Sequence, residues 1–265
     1  MRRIMTMIGV GYRAPLSAWI DTRPCDCLEI TAEHFYDSGE DRLRELADQF
    51  ALFVHGLGLS LGTPGPLDTS RLKKFARVVE IAQPAWISEH VSFTRTAEVD
   101  LGHLTPVRPT RAAAKIIADH GRELFDYCGK PLILENITSY LKIEGELSET
   151  DFLNEVCARA DCGLLLDITN LFINSRNHDF DPLAWFRELD PARIRQLHIV
   201  GYGLHHGRYV DGHGEPVQEE LIELAQAVVN ETKVEAIILE RDADFPGDAA
   251  MQDELTKLKR ICGRA

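Results

Sequence analysis

Seven short apolar runs in this chain each carry, towards the carboxyl end, a side chain able to hold a proton or a metal ion. Glu33 closes the run 27–33, His55 lies in 52–59, His90 in 86–93 and Glu135 in 131–137. Asp167 lies in 163–170, His198 in 194–201 and Glu240 in 235–242. A glycine-rich segment after the run 194–201 adds Asp211-Gly-His213, expected as a loop over the same place. Carboxylates gathered at one point repel and raise one another's pKa unless cations neutralise them. Imidazole mixed with carboxylate suits zinc, iron or manganese, whereas an all-oxygen set suits magnesium or calcium. The set therefore predicts a multinuclear transition-metal site, with a carboxylate bridging ions about 3.5–4 Å apart. A single strand histidine is ordinarily a hydrogen-bonded core residue, and a single strand-end acid ordinarily caps the next helix. Seven such residues on seven runs, each near the carboxyl end, outweigh that reading. Glu33 is the weakest member, since a hydrogen-bonding role behind the ligands suits it equally well.

The elements that must position these residues follow from periodicity. Together with 8–13, the runs make eight, rich in Val, Ile and Leu without clear alternation, which suits strands buried on both faces of a parallel sheet. Between them lie amphipathic segments such as 68–82, 110–127 and 219–229. Asp68 and Ser148-Glu-Thr-Asp151 mark helix starts, and Pro182 suits a first helical turn. Eight strands alternating with helices in about 250 residues predict a single (β/α)₈ TIM barrel over 1–265, an open doubly wound sheet being the alternative. In a barrel the carboxyl ends converge on one mouth, where barrel enzymes place their chemistry. No Pro/Gly/Ser-rich linker, low-complexity tract or internal repeat divides the chain.

Composition narrows the partners. The 265 residues are 45% hydrophobic, which argues against disorder, and 42 acidic against 29 basic side chains leave a net charge of −13. Such a surface repels a phosphate backbone, so no nucleic acid is expected. No apolar run reaches bilayer length, so no membrane is expected either. The start at Met1 is basic then apolar but lacks a small-residue cleavage site, which predicts a cytoplasmic protein. The six cysteines (25, 27, 128, 157, 162 and 262) lack metal-site spacing and sit among apolar neighbours, as buried thiols do.

Other motifs carry less. Gly56-Leu-Gly-Leu-Ser-Leu-Gly62 approaches a dinucleotide loop, but its last spacing is one residue too long and no timely ribose acid follows, so it reads as a turn needing small residues. Ser60 has no nucleophile-elbow context. His205-His206 reads as a solvated loop within reach of substrate, and His34 and His103 as residues of the rim. Arg13, Arg108 and Arg241 lie near run ends, suited to pairing a ligand carboxylate or bracing the acids.

The combination of His55-Gly-Leu-Gly-Leu-Ser-Leu-Gly62, Ser88-Glu-His90, Leu134-Glu-Asn136, Asp167-Ile-Thr-Asn170, His198-Ile-Val-Gly201, Asp211-Gly-His213 and Glu240 resembles the multinuclear non-heme iron-dependent oxidative enzymes. The likeness is to the peptide-modifying type, which includes the 3-thiaglutamate and methanobactin biosynthesis oxidases, and it spans nearly the whole chain. It implies a xylose-isomerase-like barrel holding two or three irons, mixed Fe(II)/Fe(III), with O2 as co-substrate. It implies a cysteine of a ribosomally synthesised precursor peptide as the target, and a small partner protein presenting that peptide as a heterodimer. His55, His90 and Glu135 would then hold one iron, with Glu135 bridging to a second held by Asp167, His198 and Glu240. Asn170, Asp211 and His213 would supply a third. From their places near run ends and the rim, Glu33, Arg13, His103 and Arg241 are expected either on the substrate side or behind the ligands.

Two stretches depart from the family pattern. The second run reads Glu29-Ile-Thr-Ala-Glu33-His34 where many relatives carry a histidine and then Glu-Asn, and the eighth reads Glu240-Arg-Asp242 where many show Glu-Trp-Asp. Both bear on substrate identity. A peptide thiolate is a soft anion suited to ferric iron, and loss of a hydrogen from the cysteine β-carbon is the expected first oxidation. Excision of that carbon is the expected outcome, with an oxazolone beside a thioamide as the alternative. The rival functions are a zinc apurinic endonuclease, which carries a histidine where this chain has Asn170, and a non-catalytic metal-dependent peptide-binding subunit. A sugar isomerase fits less well, because it lacks the Asp-x-His pair.

Overall fold

Eight parallel strands close on themselves in a computed structural model that describes residues 5–96 and 98–263. In chain order the strands are β1 (Met7–Gly11), β2 (Cys27–Thr31), β3 (Ala51–His55), β4 (Ile87–His90), β5 (Ser92–Arg95) and β6 (Asp100–Pro106). They continue with β7 (Leu132–Glu135), β8 (Gly163–Asp167), β9 (Ile194–Ile199), β10 (Gly201–His205), β11 (Arg208–Glu215) and β12 (Ala236–Leu239). The barrel order is β1-β12-β9-β8-β7-β4-β3-β2, and β1 pairs with both β2 and β12, so the open-sheet alternative is excluded. The strands β5–β6 and β10–β11 form two antiparallel hairpins that leave the carboxyl ends of β4 and β9. Met1 to Ile4, the basic start of the chain, lies outside the described residues.

Side chains of the barrel strands alternate between two apolar layers. Ile8, Val10, Leu28, Ile30, Val54, Leu134, Leu166, Leu197 and Leu239 pack outward with the helices in one large cluster. Cys27, Phe53, Trp86, Ile133, Leu165, Ala236 and Ile238 form a separate cluster that fills the barrel. The period of two therefore exists, but both faces are apolar, which hides it in a hydropathy reading. The interior is full: a Cβ added at Gly9 would lie 2.5 Å from Cys27 Sγ and 2.9 Å from Ile238 Cδ1.

Helix starts follow their caps. Asp68 accepts from the Ser70 and Arg71 amides ahead of Thr69–Ala82, Thr110 from Ala113 ahead of Arg111–Cys128, and Ser148 from Asp151 ahead of Glu149–Ala160. Asp181 caps Pro182–Arg187, with the proline in the first turn as expected. Several boundaries differ from expectation. The run 52–59 is a strand only to His55; the glycine-rich part forms a turn in which Ser60 adopts a left-handed φ of 62°. The run 86–93 crosses from β4 into the first hairpin. The run 163–170 ends as a strand at Asp167, which caps the helix Ile168–His178. Asp211 and His213 lie on β11 of a hairpin rather than in a loop.

Candidate metal centre

Four of the ligand candidates lie two residues beyond a residue of the apolar plug. His55 follows Phe53, Glu135 follows Ile133, Asp167 follows Leu165 and Glu240 follows Ile238, so the strand pleat stacks a polar layer on the barrel filling. His90 and His198 join the layer from β4 and β9, and all six residues are buried. Two groups of donor atoms form there, each within 4.8 Å: His55, His90 and Glu135, then Glu135, Asp167, His198 and Glu240. Glu135 belongs to both. Its Oε2 lies 3.4 Å from His55 Nε2 and 3.4 Å from His90 Nε2, and its Oε1 lies 3.4 Å from His198 Nδ1.

The ring orientations say what can occupy the space between. Ser88 Oγ reaches the Val54 carbonyl at 3.5 Å and stands 2.8 Å from His55 Nδ1, so it donates to the carbonyl and accepts the Nδ1 hydrogen. His90 Nδ1 faces acceptors only, the Gly56 carbonyl at 3.2 Å and Glu89 Oε1 at 3.3 Å. In the neutral rings both Nε2 atoms are then bare lone pairs pointing at a carboxylate oxygen. His198 is turned the other way: its Nε2 donates to Glu29 Oε1 at 2.6 Å, leaving Nδ1 facing Glu135 and, at 3.0 Å, Glu240 Oε2. His55 Nε2, Glu135 Oε2, Asp167 Oδ2 and His198 Nδ1 have no hydrogen-bond partner among the described residues. Buried acceptors aimed at one another are costly unless a cation stands between them, and histidines held through their outer nitrogen are how proteins present metal ligands. The donor set fits transition-metal ions.

The titration directions describe the same tension. Burial drives His55 well below the usual imidazole range, helped by the positive charge of His90 and His198. Burial opposes protonation of His90 too, but the Glu135 and Glu89 carboxylates outweigh it and push it up to about 9. Burial, then the charges of Glu135 and Asp211, raise Asp167 well above the carboxylate range. Glu240 is held well below it despite burial, because His198 and His213 lie beside it.

The third group differs from the expected one. His213 lies with Glu240 and Asp242, its Nδ1 3.8 Å from Glu240 Oε2 and 3.3 Å from Asp242 Oδ2. Asp211 Oδ1 stands 2.7 Å from His213 Nε2, on the opposite side of the ring. Asn170 is held elsewhere: its amide nitrogen donates to the Asn136 carbonyl at 3.1 Å, and its oxygen accepts from Thr138 Oγ1. Asp167 both caps the helix, accepting from the Asn170 amide at 2.6 Å, and keeps its second oxygen free for the shared centre.

The remaining expected residues divide. Arg13 reaches the mouth, its guanidinium pairing Asp242 and lying 3.8 Å from Glu240 Oε1. Arg241 does not; it is buried against Glu254 at 3.3 Å and the Gly214 and Asp244 carbonyls, where it braces the hairpin, because a side chain directly after Glu240 points away from the barrel axis. His103 is exposed on β6, and among the described residues it bonds to its neighbours Leu104 and Thr105. Arg108 caps the Glu144 carbonyl, and His34 is exposed at the rim. Glu33 falls beyond β2 in the short helix Ala32–Phe35, and its Oε1 accepts from the Leu57 and Gly58 amides. Glu89 Oε2 accepts from Leu59, so carboxylates already occupy the amides that a dinucleotide phosphate would need.

Sequence reasoning missed Glu29 and Glu89. Glu29 was legible, since it stands two residues after Cys27, the offset that relates His55 to Phe53. No cysteine enters any of the donor groups found among the described residues, and Cys27, Cys157 and Cys162 are buried. Cys162→Ser is accordingly expected to keep full metal content with a modest loss of thermal stability; a folded variant stripped of metal would contradict this placement.

Residues 7–263 match the family described as the RiPP precursor modification enzymes MbnB/TglH/ChrH, RiPP denoting a ribosomally made, later modified peptide. A relative from Chromobacterium violaceum, named only as a UPF0276 protein, is 34% identical over 262 residues, covering 97% of this chain and 95% of its own. Among solved structures, D-psicose 3-epimerase from Clostridium cellulolyticum H10 superposes with a TM-score of 0.67 at 13% identity, over 98% of this chain and 100% of the other. A xylose isomerase domain protein from Planctomyces limnophilus gives 0.61 at 13%, over 97% of each chain. Those two likenesses establish a xylose-isomerase-like TIM barrel and nothing of the reaction. No helix among the described residues is long and apolar enough to cross a membrane. The chain belongs to the MbnB/TglH/ChrH family of enzymes that modify the precursors of ribosomally made peptides.

Proposed function

We propose that this enzyme oxidises a cysteine of a ribosomally made precursor peptide at a multinuclear iron centre, with dioxygen as co-substrate and excision of the cysteine β-carbon as the outcome. The single observation that carries the reading is Glu135, one carboxylate shared between two buried donor groups. His55, His90 and Glu135 hold one ion; Glu135, Asp167, His198 and Glu240 hold a second. His213 holds a third more loosely, with Glu240 and Asp242 as the acids beside it; Asn170 joins that ion as a neutral ligand only by releasing Asn136 and Thr138. Iron bound there would supply a Lewis acid for the peptide thiolate and a site for dioxygen, whose four electrons come from the cysteine itself, the β-carbon leaving as formate and the sulfur staying on the α-carbon.

The chain's own residues do the rest. Ser88, Gly56 and Glu29 fix the three rings so that each presents one nitrogen inward. The Phe53 and Trp86 layer beneath keeps water from the barrel side of the centre, which strengthens every electrostatic contact inside it. Arg13 partly balances the acidic rim of Asp242 and Glu240, so an anionic thiolate approaches against less repulsion. A small second protein presents the peptide, and the reaction belongs in the reducing cytoplasm, where a thiol substrate persists.

The test is dioxygen uptake by anaerobically iron-loaded enzyme given a cysteine-bearing precursor peptide, with mass spectrometry of the product. Uptake with loss of one carbon is expected; saturable peptide binding without uptake would leave only a binding subunit. Asn170→His replaces a weak neutral ligand with imidazole and is expected to raise metal per chain while slowing turnover. Unchanged metal content and turnover would remove Asn170 from the ligand set.

A further inference from the structure

Beneath the centre, the barrel interior holds a polar chain that ends on His198 and whose other three members no ligand assignment uses. Trp86 Nε1 donates to Gln196 Oε1 at 2.7 Å, Gln196 Nε2 donates to Glu29 Oε2 at 2.5 Å, and Glu29 Oε1 accepts from His198 Nε2 at 2.6 Å. All four residues are buried, with relative exposures of 2%, 0%, 3% and 0%. A polar string inside an apolar plug is expensive to assemble, so a packing role alone does not account for it. Its direction is determined by chemistry. An indole N–H only donates, so Gln196 must turn its oxygen to Trp86 and its amide nitrogen to Glu29. A carboxylate only accepts, so the hydrogen between Glu29 and His198 belongs to Nε2; Gln196 Nε2 lies 3.1 Å from that nitrogen and is a donor too, and both turn a hydrogen to the Glu29 carboxylate.

We propose that Glu29, braced by Gln196 and Trp86, is the positioning residue that turns His198 so that Nδ1 faces the shared centre and strengthens it as a ligand. The inference rests on the metal-centre reading above and extends it to a residue outside the donor groups. A carboxylate on the far nitrogen of a ligating imidazole fixes the ring and raises its basicity, and losing such a partner costs about 10- to 100-fold in metal affinity. Glu29→Gln cannot substitute silently. Its amide nitrogen must face either the Gln196 amide or the His198 Nε2–H, and both are donors.

Cobalt(II) titration of the metal-free protein, followed by absorption, separates the two groups. In Glu29→Gln the ion at the His198 group is expected to bind about 10- to 100-fold more weakly, with its absorption bands shifted. The ion at His55 and His90 is expected to keep its affinity, which also certifies the fold. Trp86→Phe keeps the ring stacked on Phe53 but frees Gln196 to turn, and is expected to weaken the same ion less. Unchanged affinity and spectrum at the His198 group in Glu29→Gln would overturn the proposal. If that variant lost both ions together, Trp86→Phe would decide: selective weakening supports positioning, and equal loss at both sites or no loss overturns it. A wild-type chain that bound no cobalt would instead overturn the metal-centre reading itself.

Discussion

Glu135→Ala is expected to remove two metal ions per chain, where His90→Ala removes one, and to lower turnover by more than about 100-fold. The asymmetry follows from geometry. Both oxygens of Glu135 are committed, one between two imidazoles and the other beside His198, so its loss opens both donor groups. His90 serves only the first group. Removal of the carboxylate also leaves Asp167, Glu240 and three histidines to arrange their charges without their shared centre. Metal quantitation of the two purified variants, with circular dichroism to certify folding, checks the prediction. Equal losses from Glu135→Ala and His90→Ala would mean that no carboxylate is shared.

The second large effect is on stability. Phe53 is buried in the barrel and stacks on Trp86 with ring centroids 4.1 Å apart and planes 16° from parallel. Truncation to alanine leaves a cavity that closed strands cannot collapse around, at a cost of about 3–5 kcal/mol. For a chain of this size that corresponds to roughly 6–20 °C in Tm. Because His55 stands two residues further along the same strand, the apolar floor beneath the centre loosens as well. Thermal unfolding of the metal-free protein measures the first effect without interference from ligand stabilisation. A Tm within about 2 °C of wild type would show that the plug is not a packed layer.

Much of this is legible in the sequence alone. Eight apolar runs gave eight barrel strands because parallel strands are apolar on both faces, and Asp68, Thr110, Ser148 and Asp181 start helices for the ordinary reason that a side-chain oxygen satisfies free amides. His55, His90, Glu135, Asp167, His198 and Glu240 meet because barrel closure brings the ends of their strands together. What was hidden depends on direction rather than type. Arg241 and Glu240 are adjacent in the chain yet point to opposite sides of the barrel wall. Glu33 looked like a strand end and instead holds the Leu57–Gly58 turn, while Glu29, inside the strand, reaches His198. The composition of the third group was illegible, because a hairpin register decides which acid meets His213.

Iron Mössbauer spectroscopy on anaerobically purified, iron-57-labelled protein, with parallel metal quantitation, tests the central claim most directly. Two donor groups joined by one carboxylate predict at least two ions per chain in distinct environments, with His90→Ala removing one of the signals. Stoichiometric zinc alone, or a single iron environment indifferent to His55, His90 and Glu135, would contradict it.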